Sequence, residues 1–386
     1  MKNLNHLFLL SLVALSISAC SGESEETKAS TPLSEQALEF EIYDSLVVDY
    51  LGNLVLMDIS PDHSKYLMMD QNTAEILITD SEGSILHQYN KSGEGPEDYN
   101  NGKSGKAIFI NNSEFLIPTT TAIFQYSLDG KLIRKMEPDF QGLANLVVSF
   151  STAILKSGNN LYFKIQGRHP EKGDLTEYTN LEKVNFETGE YEPIIPFSKS
   201  SKFSTPEADF QAFDYHPVFD LTADSLFIMF RNEPKLFSYS LDNLDTPAHT
   251  INVPFLEFEE RNTDKKSENG GFNIRDFLLG SINAIEKLDD GTFLIFYTSG
   301  LNEEEANDVV SEAGDDFNKI FELAEKYNTT GNVVFDGESV SRIIAEDELL
   351  SNIAKVISKD EIWFNLDFSK VENDYSVIYK TRIASK

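Results

Sequence analysis

The sequence predicts an all-β fold of repeated four-stranded meanders, and three observations carry that prediction. Short apolar runs rich in β-branched and aromatic residues recur along most of the chain. Tight-turn sequences containing Gly, Asn or Asp separate them. Among the aromatic residues, 28 Phe and 15 Tyr stand against a single Trp, and aromatic side chains suit a pleated, half-buried surface. The stretch 107–136 shows the unit most clearly. Its runs are Ala107-Ile108-Phe109-Ile110, Phe115-Leu116-Ile117, Ala122-Ile123-Phe124-Gln125-Tyr126 and Leu132-Ile133. Each is too short for a stable helix, and Asn111-Asn112-Ser113 and Leu128-Asp129-Gly130-Lys131 supply residues that tolerate positive φ. One meander cannot bury both of its faces, so copies must stack, and radial stacking of meanders makes a β-propeller.

Composition limits the partners. The chain has 386 residues, of which 40% are hydrophobic, enough for a large core. Lys and Arg total 32 against 64 Asp and Glu, a formal charge of −32. Such a polyanion repels nucleic acid and anionic lipid, and no basic patch offsets it. The charge reads as a solvated acidic surface that keeps an exported protein soluble, in preference to a role in metal or cationic-ligand binding. With one cysteine no disulfide forms within the chain, so stability rests on sheet packing.

At the N-terminus, Lys2 precedes an apolar run over 7–17 that is too short to span a bilayer and ends in small residues, the pattern of a removable export signal. Ile17-Ser18-Ala19-Cys20 resembles the lipobox of bacterial lipoproteins. The resemblance implies cleavage of a signal peptide 1–19 and acylation of Cys20, the only cysteine. Several acyl chains would make membrane attachment effectively permanent, where one holds only marginally. Residues 20–37 then form an acidic tether. Within it, Ser21-Gly22-Glu23-Ser24-Glu25-Glu26 resembles the stretch that directs Bacteroidota-type lipoproteins to the cell surface. The expected location is the outer membrane, facing either the surface or the periplasm.

The propeller is expected over 38–386. Turns at Asp80-Ser81-Glu82-Gly83, Glu187-Thr188-Gly189, Leu241-Asp242-Asn243 and Asp336-Gly337-Glu338 repeat the Leu128-Asp129-Gly130-Lys131 pattern before each outer strand. Setting aside the charged loop 257–276 and the segment 300–330 leaves about 300 residues, which at about 40 to 50 per blade allows six or seven. Six is preferred, with seven as the alternative. The last copy shows runs only at 353–357, 362–366 and 375–383, while the early run 40–48 has no meander of its own. Pairing the two would close the ring and remove the open sheet edges.

Ser92-Gly93-Glu94-Gly95-Pro96-Glu97-Asp98-Tyr99, between the first two complete meanders, resembles the glycine-proline-acidic linker of six-bladed propeller lipoproteins from Bacteroidota-type bacteria. Many of those families have no assigned function. One segment breaks the strand grammar. In 302–327, Val310, Ala313, Phe317, Ile320, Phe321 and Ala324 fall on one helical face, which predicts a helix or helix pair inserted in the fifth blade, bent or divided at Gly314.

Catalytic motifs are missing from the sequence. Gly102-Lys103-Ser104 ends like a phosphate-binding loop, but Glu97 stands where the first glycine is required. There is no Gly-x-Ser-x-Gly and no His-Glu-x-x-His, and His63, His87, His169, His216 and His249 are too scattered to form a triad or a zinc site. Arg168-His169-Pro170 and Tyr215-His216-Pro217 fall where loops would reach one mouth of the propeller, with structural roles preferred. Six-bladed lactonase-like propellers hold a metal in the central channel through residues of different blades, which leave no local signature. Calcium is therefore left open, with no ligand named. Asp44-Ser45-Leu46 and Asp224-Ser225-Leu226 resemble a short bacterial O-glycosylation motif.

The expected function is a membrane-anchored binding or scaffold module of the envelope, for a glycan, a peptide or a neighbouring protein. The alternative is a metal-assisted hydrolase, lactonase or lyase at the channel. Long insertions on a rigid scaffold are where recognition concentrates, so 257–276 and 302–327 are expected over one face as the partner surface.

Overall fold

The computed structural model describes residues 37–99, 103, 105–143, 154–169, 174–205, 210–261, 273–345, 347–371 and 373–386. The signal peptide, Cys20 and the tether lie outside the described residues, apart from Ala37.

The chain forms six four-stranded antiparallel blades. After β1 (Leu38–Val48), blade 1 holds β2 (Leu54–Ile59), β3 (Lys65–Asp70), β4 (Glu75–Asp80) and β5 (Ile85–Asn90). Blade 2 holds β6 (Ile108–Asn111), β7 (Glu114–Pro118), β8 (Ile123–Ser127) and β9 (Leu132–Met136), within the stretch from which the meander was read. Blade 3 holds β10 (Ile154–Ser157), β11 (Asn160–Phe163), β12 (Thr179–Asn185) and β13 (Tyr191–Pro196). Blade 4 holds β14 (Pro217–Leu221), β15 (Ser225–Phe230), β16 (Glu233–Ser240) and β17 (His249–Asn252). Blade 5 runs β18 (Ser281–Lys287), β19 (Phe293–Thr298), α1 (Glu303–Ala313), α2 (Phe317–Ala324), β20 (Thr330–Phe335) and β21 (Val340–Ala345). Blade 6 runs β22 (Leu350–Ser358), β23 (Glu361–Leu366) and β24 (Ser376–Ser385), and β1 completes it.

The closure is as the sequence led us to expect. β1 lies antiparallel to β24 from Leu38↔Ser385 to Val48↔Ser376. Its first residues also run parallel to β21, at Leu38↔Ile343 and Glu39↔Ala345, so blades 5 and 6 join into one eight-stranded sheet.

Strand alternation explains the packing. In β7, Phe115 and Ile117 pack toward blade 1, whereas Leu116 packs toward blade 3. In β19, Phe293 and Ile295 join blade 4 and Leu294 joins blade 6. Successive side chains point to opposite faces, and here both faces meet another blade. The middle strands therefore read as unbroken apolar runs instead of alternating ones. Each of the six interfaces has its own buried cluster.

The turns before the outer strands share one device. Asp80 Oδ1 accepts from the Glu82 and Ser84 N–H groups, Asn185 Oδ1 from Glu187 and Thr188, and Asp336 Oδ1 from Glu338 and Ser339. These are Asx turns, in which a short side chain stands in for the backbone acceptor. Gly83 follows with φ 84°, and a Cβ there would meet the Val47 carbonyl oxygen of β1 at 1.9 Å.

Candidate functional site

Two regions concentrate polar chemistry: the central channel and the end of the propeller that carries both insertions. The channel is a cavity of about 940 Å³ lined by the inner strands of all six blades. It contains Asp58 of β2, Lys106 just before β6, Asp220 of β14, Glu286 of β18 and Lys355 of β22. The pairing of β2, β18 and β22 with their neighbours is irregular beside these charged residues, with register breaks at Leu56/Asp58, Ile282/Ala284 and Ile353/Lys355. A bulge re-aims the side chains around it.

Asp58 and Asp220 act as clips between blades. Asp58 Oδ2 accepts from the Phe109 N–H of blade 2 at 2.8 Å, while its Oδ1 pairs with Lys355 Nζ at 2.8 Å. Three blades further round, Asp220 Oδ2 accepts from the Lys287 N–H of blade 5 at 2.6 Å and Oδ1 from Leu221 N–H at 2.7 Å. Lys106 Nζ donates to the carbonyls of Ala354 at 2.9 Å and Ile353 at 3.3 Å, tying blade 2 to blade 6. Among the described residues, Glu286 makes no hydrogen bond or ion pair of this kind. Burial, and then the neighbouring Asp220 carboxylate, push its pKa up to about 7, with Lys106 and Lys355 pulling the other way. Burial holds the Lys106 ammonium below its ordinary value, against the pull of Glu286.

The channel does not match a calcium cage. That ion takes six to eight oxygen ligands. Here two of the carboxylates are occupied by backbone N–H groups, and two lysine ammoniums share the space. Among the described residues no group of three or more His, Cys, Asp or Glu is placed to hold a metal ion.

At the insertion-bearing end, strand direction fixes the geometry. In an antiparallel blade, the turn from the second to the third strand and the linker to the next blade emerge at the same end. The helical insertion is the former in blade 5, and residues 253–280 are the latter between blades 4 and 5. The helical insertion and the described ends of that linker, 253–261 and 273–280, accordingly gather on one face. Leu278 and Ile274 pack with Leu301, Ala306, Val309, Ile320 and Leu323 in a shared apolar cluster, and Leu301 N–H donates to the Leu278 carbonyl at 2.8 Å.

The helical segment differs from expectation in one respect. Ala306, Val309, Ala313, Ile320, Leu323 and Ala324 form the buried faces, whereas Phe317 and Phe321 are 47% and 37% exposed. Gly314, at φ 63°, ends α1, so the two helices turn independently and a single continuous helical face does not persist. The exposed rings continue a row. Phe213 stacks on Phe277 at 4.6 Å, Phe277 meets Phe317 edge-on at 6.5 Å, and Phe317 meets Phe321 at 5.0 Å.

The polar loop 257–276 is anchored at its described ends. Arg261 pairs with the buried Asp214 through two nitrogens at 2.5 and 3.2 Å and reaches Asp276 at 3.0 Å. Asn232, in the central turn of blade 4, accepts from Arg261 N–H and from Lys202 Nζ and donates to the Gly280 carbonyl. Burial raises the Asp214 pKa despite the guanidinium beside it.

The two loop histidines reach this same end, as expected. His169 stacks on Tyr178 at 4.6 Å, and its Nε2 accepts from the Thr179 N–H at 2.9 Å. Arg168 grips Glu182 with two nitrogens at 2.5 and 2.8 Å and lies over Phe140. His216 is buried, which pushes its pKa down to about 3, helped by Lys164 and Arg231. It is a neutral packing group. His63 sits in a turn of blade 1, and His87 and His249 on the outer strands β5 and β17. Asp44-Ser45 is exposed on β1, and Asp224-Ser225 forms the turn from β14 to β15, where Ser225 Oγ bonds Asp224.

The channel set was not singled out from the sequence. A signal exists, since a charged residue interrupts an apolar inner strand in Leu56-Met57-Asp58-Ile59, Val218-Phe219-Asp220-Leu221 and Ala284-Ile285-Glu286. It becomes readable only once the blades are in register.

Comparison with known proteins agrees with this architecture. A family model described as DUF5128, 6-bladed beta-propeller, matches residues 21–222. Among solved structures, a member of the DUF4221 family from Bacteroides vulgatus is similar over 92% of this chain and 100% of its own, with TM-score 0.61 and 11% identity. A Bacteroides fragilis protein described as exported is similar over 90% of this chain and 95% of its own, with TM-score 0.53 and 13% identity. At these identities the likeness is one of fold. No curated protein matches the chain. With six closed blades in the structure and the family model spanning just over half of the sequence, the chain belongs to the DUF5128 six-bladed β-propeller family.

Proposed function

We propose that this protein is an exported lipoprotein, held to the outer membrane through acylated Cys20, and that it works as a binding module for a glycan, peptide or protein of the cell envelope. One observation carries the reading: both insertions merge through a shared apolar core on one end of the ring, leaving the row Phe213, Phe277, Phe317 and Phe321 at that end. Aromatic rings on a rigid support supply large contact area at low entropic cost. The acidic tether would hold the ring away from the bilayer. Among the described residues no helix is long and apolar enough to cross a membrane, which is compatible with attachment by acyl chains.

The alternative of a metal-assisted hydrolase, lactonase or lyase needs converging ligands in the channel, and Asp58 and Asp220 are committed to holding blades together.

Two measurements test the proposal. Cys20→Ser should move the protein from the membrane to the soluble fraction; continued membrane fractionation would sink the anchor. A photo-crosslinking residue placed at Phe317 or Phe321 in living cells should give a discrete adduct that the same residue at Ser81, on the opposite end, does not. Identical adducts from both ends, or none at 317 and 321, would remove the recognition face.

A further inference from the structure

The helical insertion departs from the rest of the chain in charge. Residues 302–327 hold nine Asp and Glu against two Lys, a net −7, which is roughly three times the average density of a chain that carries −32 over 386 residues. Part of that charge serves the helices themselves. Asn302 and Glu305 form the capping box of α1, and Asp316 caps α2 by accepting from the Asn318 and Lys319 N–H groups. The rest has no such use. The carboxylates of Glu304, Asp308, Glu312, Glu322 and Glu325 are exposed and, among the described residues, accept no hydrogen bond and pair with no cation. Lys319 Nζ donates to the Glu312 backbone carbonyl at 3.1 Å, and Arg275 Nε to Asn307 Oδ1 at 3.0 Å.

The placement of these charges opposes helix stability. Glu304, Asp308 and Glu312 follow one another at four-residue spacing on the exposed side of α1, and like charges so spaced repel. Glu312 and Glu322 also stand in the last turns of α1 and α2, where the helix dipole disfavours an anion. Mixed charges would serve solubility as well, so one sign concentrated here is a strain that an arriving cation relieves. The same carboxylates border the exposed rings. On α2, Glu325 lies four residues after Phe321 and continues the stripe of Phe317 and Phe321, and Glu322 adjoins it. That stripe leads through Phe277 to Phe213.

Apolar rings edged by uncompensated carboxylates match a partner that presents both apolar and cationic groups. A second copy of the chain brings the same acidic helices, and an anionic lipid or glycan is repelled likewise. An uncharged glycan leaves the carboxylates without a counter-charge. Arg and Lys side chains answer both features, since their cations attract carboxylates and also sit over aromatic rings.

We infer that the insertion-bearing end docks a basic segment of a polypeptide partner, with its apolar side chains on the phenylalanine row and its Lys or Arg side chains among the carboxylates of α1 and α2. The inference rests on the reading of that end as the recognition face and narrows its partner to one class.

A blocked octapeptide alternating arginine and leucine is a suitable probe, with citrulline in place of arginine as the uncharged control. Both are titrated into the purified full-length protein by calorimetry in about 50 mM salt, where surface charge is weakly screened. The basic peptide should bind saturably and the citrulline peptide about tenfold more weakly or worse. Asp308→Asn, Glu312→Gln and Glu322→Gln combined should weaken the basic peptide by about tenfold or more. Glu82→Gln, Asp245→Asn and Glu338→Gln, which neutralise three exposed carboxylates in turns at the opposite end, should leave it within about twofold. The insertion variant should melt no lower than the parent, because its three side chains have no partner to lose. Phe321→Ser should weaken both peptides. Equal binding of the two peptides, equal weakening by the two sets of substitutions, or no saturable binding of the basic peptide up to about 1 mM would overturn the inference. So would saturable binding of maltohexaose that the insertion variant leaves unchanged, which assigns the face to a glycan. If any of these results accompanies a discrete crosslinked adduct at Phe317 or Phe321 in cells, the recognition face stands and only its basic partner falls. Absence of the adduct removes the face and this inference with it.

Discussion

At the residue scale, the chain uses charged groups inside the ring for two different purposes. Asp58 and Asp220 are ligands for backbone N–H groups of the following blade, and Asp214 serves Arg261. Glu286 has no such duty, and its pKa of about 7 sets a testable pH dependence. Because the folded-state pKa is raised above the ordinary 4.5, the stability it contributes is complete below that value and is lost as pH rises through about 7. Glu286→Gln should therefore raise the melting temperature at about pH 8 and leave it unchanged at about pH 4, where the native carboxyl is already neutral. Equal melting of the two proteins at the higher pH would contradict the burial argument. Arg261→Ala makes the opposite kind of change, leaving the Asp214 carboxylate, 1% exposed, without its guanidinium. A loss of about 3 kcal/mol in denaturant unfolding is expected, and a loss below about 1 kcal/mol would class the pair with weak surface bridges.

At the element scale, the strands follow from local sequence, but their partners do not. The runs read in blade 2 correspond to strands, and the Asx turns with glycine at positive φ appear where the sequence has Asp80, Asn185 and Asp336. Gly83 shows how a local turn also serves closure, since its position against the Val47 carbonyl leaves no room for a side chain. Gly83→Ala should cost about 1 to 3 kcal/mol, from the positive φ and the clash with β1 together; a neutral effect would mean that the turn can move away from β1. The helical insertion was legible as apolar periodicity interrupted by Gly314. Its buried face was legible only in part: Ala313, Ile320 and Ala324 are buried as read, but the break at Gly314 resets the rotation between α1 and α2 and leaves Phe317 and Phe321 outside. Val309→Asp should loosen both helices and open 273–279 with them, seen as earlier proteolytic cleavage there, while the blades keep their cooperative melting. Cleavage confined to the helices would show that the insertions do not share a core.

At the scale of the whole molecule, the ring closes by pairing the first strand with the last. Deleting residues 38–49 removes β1 from both β24 and β21 and opens two sheet edges, which invites aggregation. A sharp fall in melting temperature is expected, and melting like that of the parent would show that closure does not depend on this strand.

What the sequence determined by itself was the class and the plan: meander grammar, six blades in preference to seven, the three-strand deficit of the last copy and the helical insertion in the fifth. These are set by residue-level preferences for strand, turn and helix, and such preferences act over a few neighbouring positions. Which residues meet across the ring was decided only by the tertiary structure. Asp58 lies beside Lys355 and Glu286 lies near Asp220 because the inner strands of different blades converge on one axis, and contacts between different blades leave no local spacing to read. The gathering of both insertions on one end is an intermediate case. Strand alternation implies it once the blades are counted, but the shared core of Leu278, Leu301 and Val309 depends on side-chain packing that only the folded chain supplies.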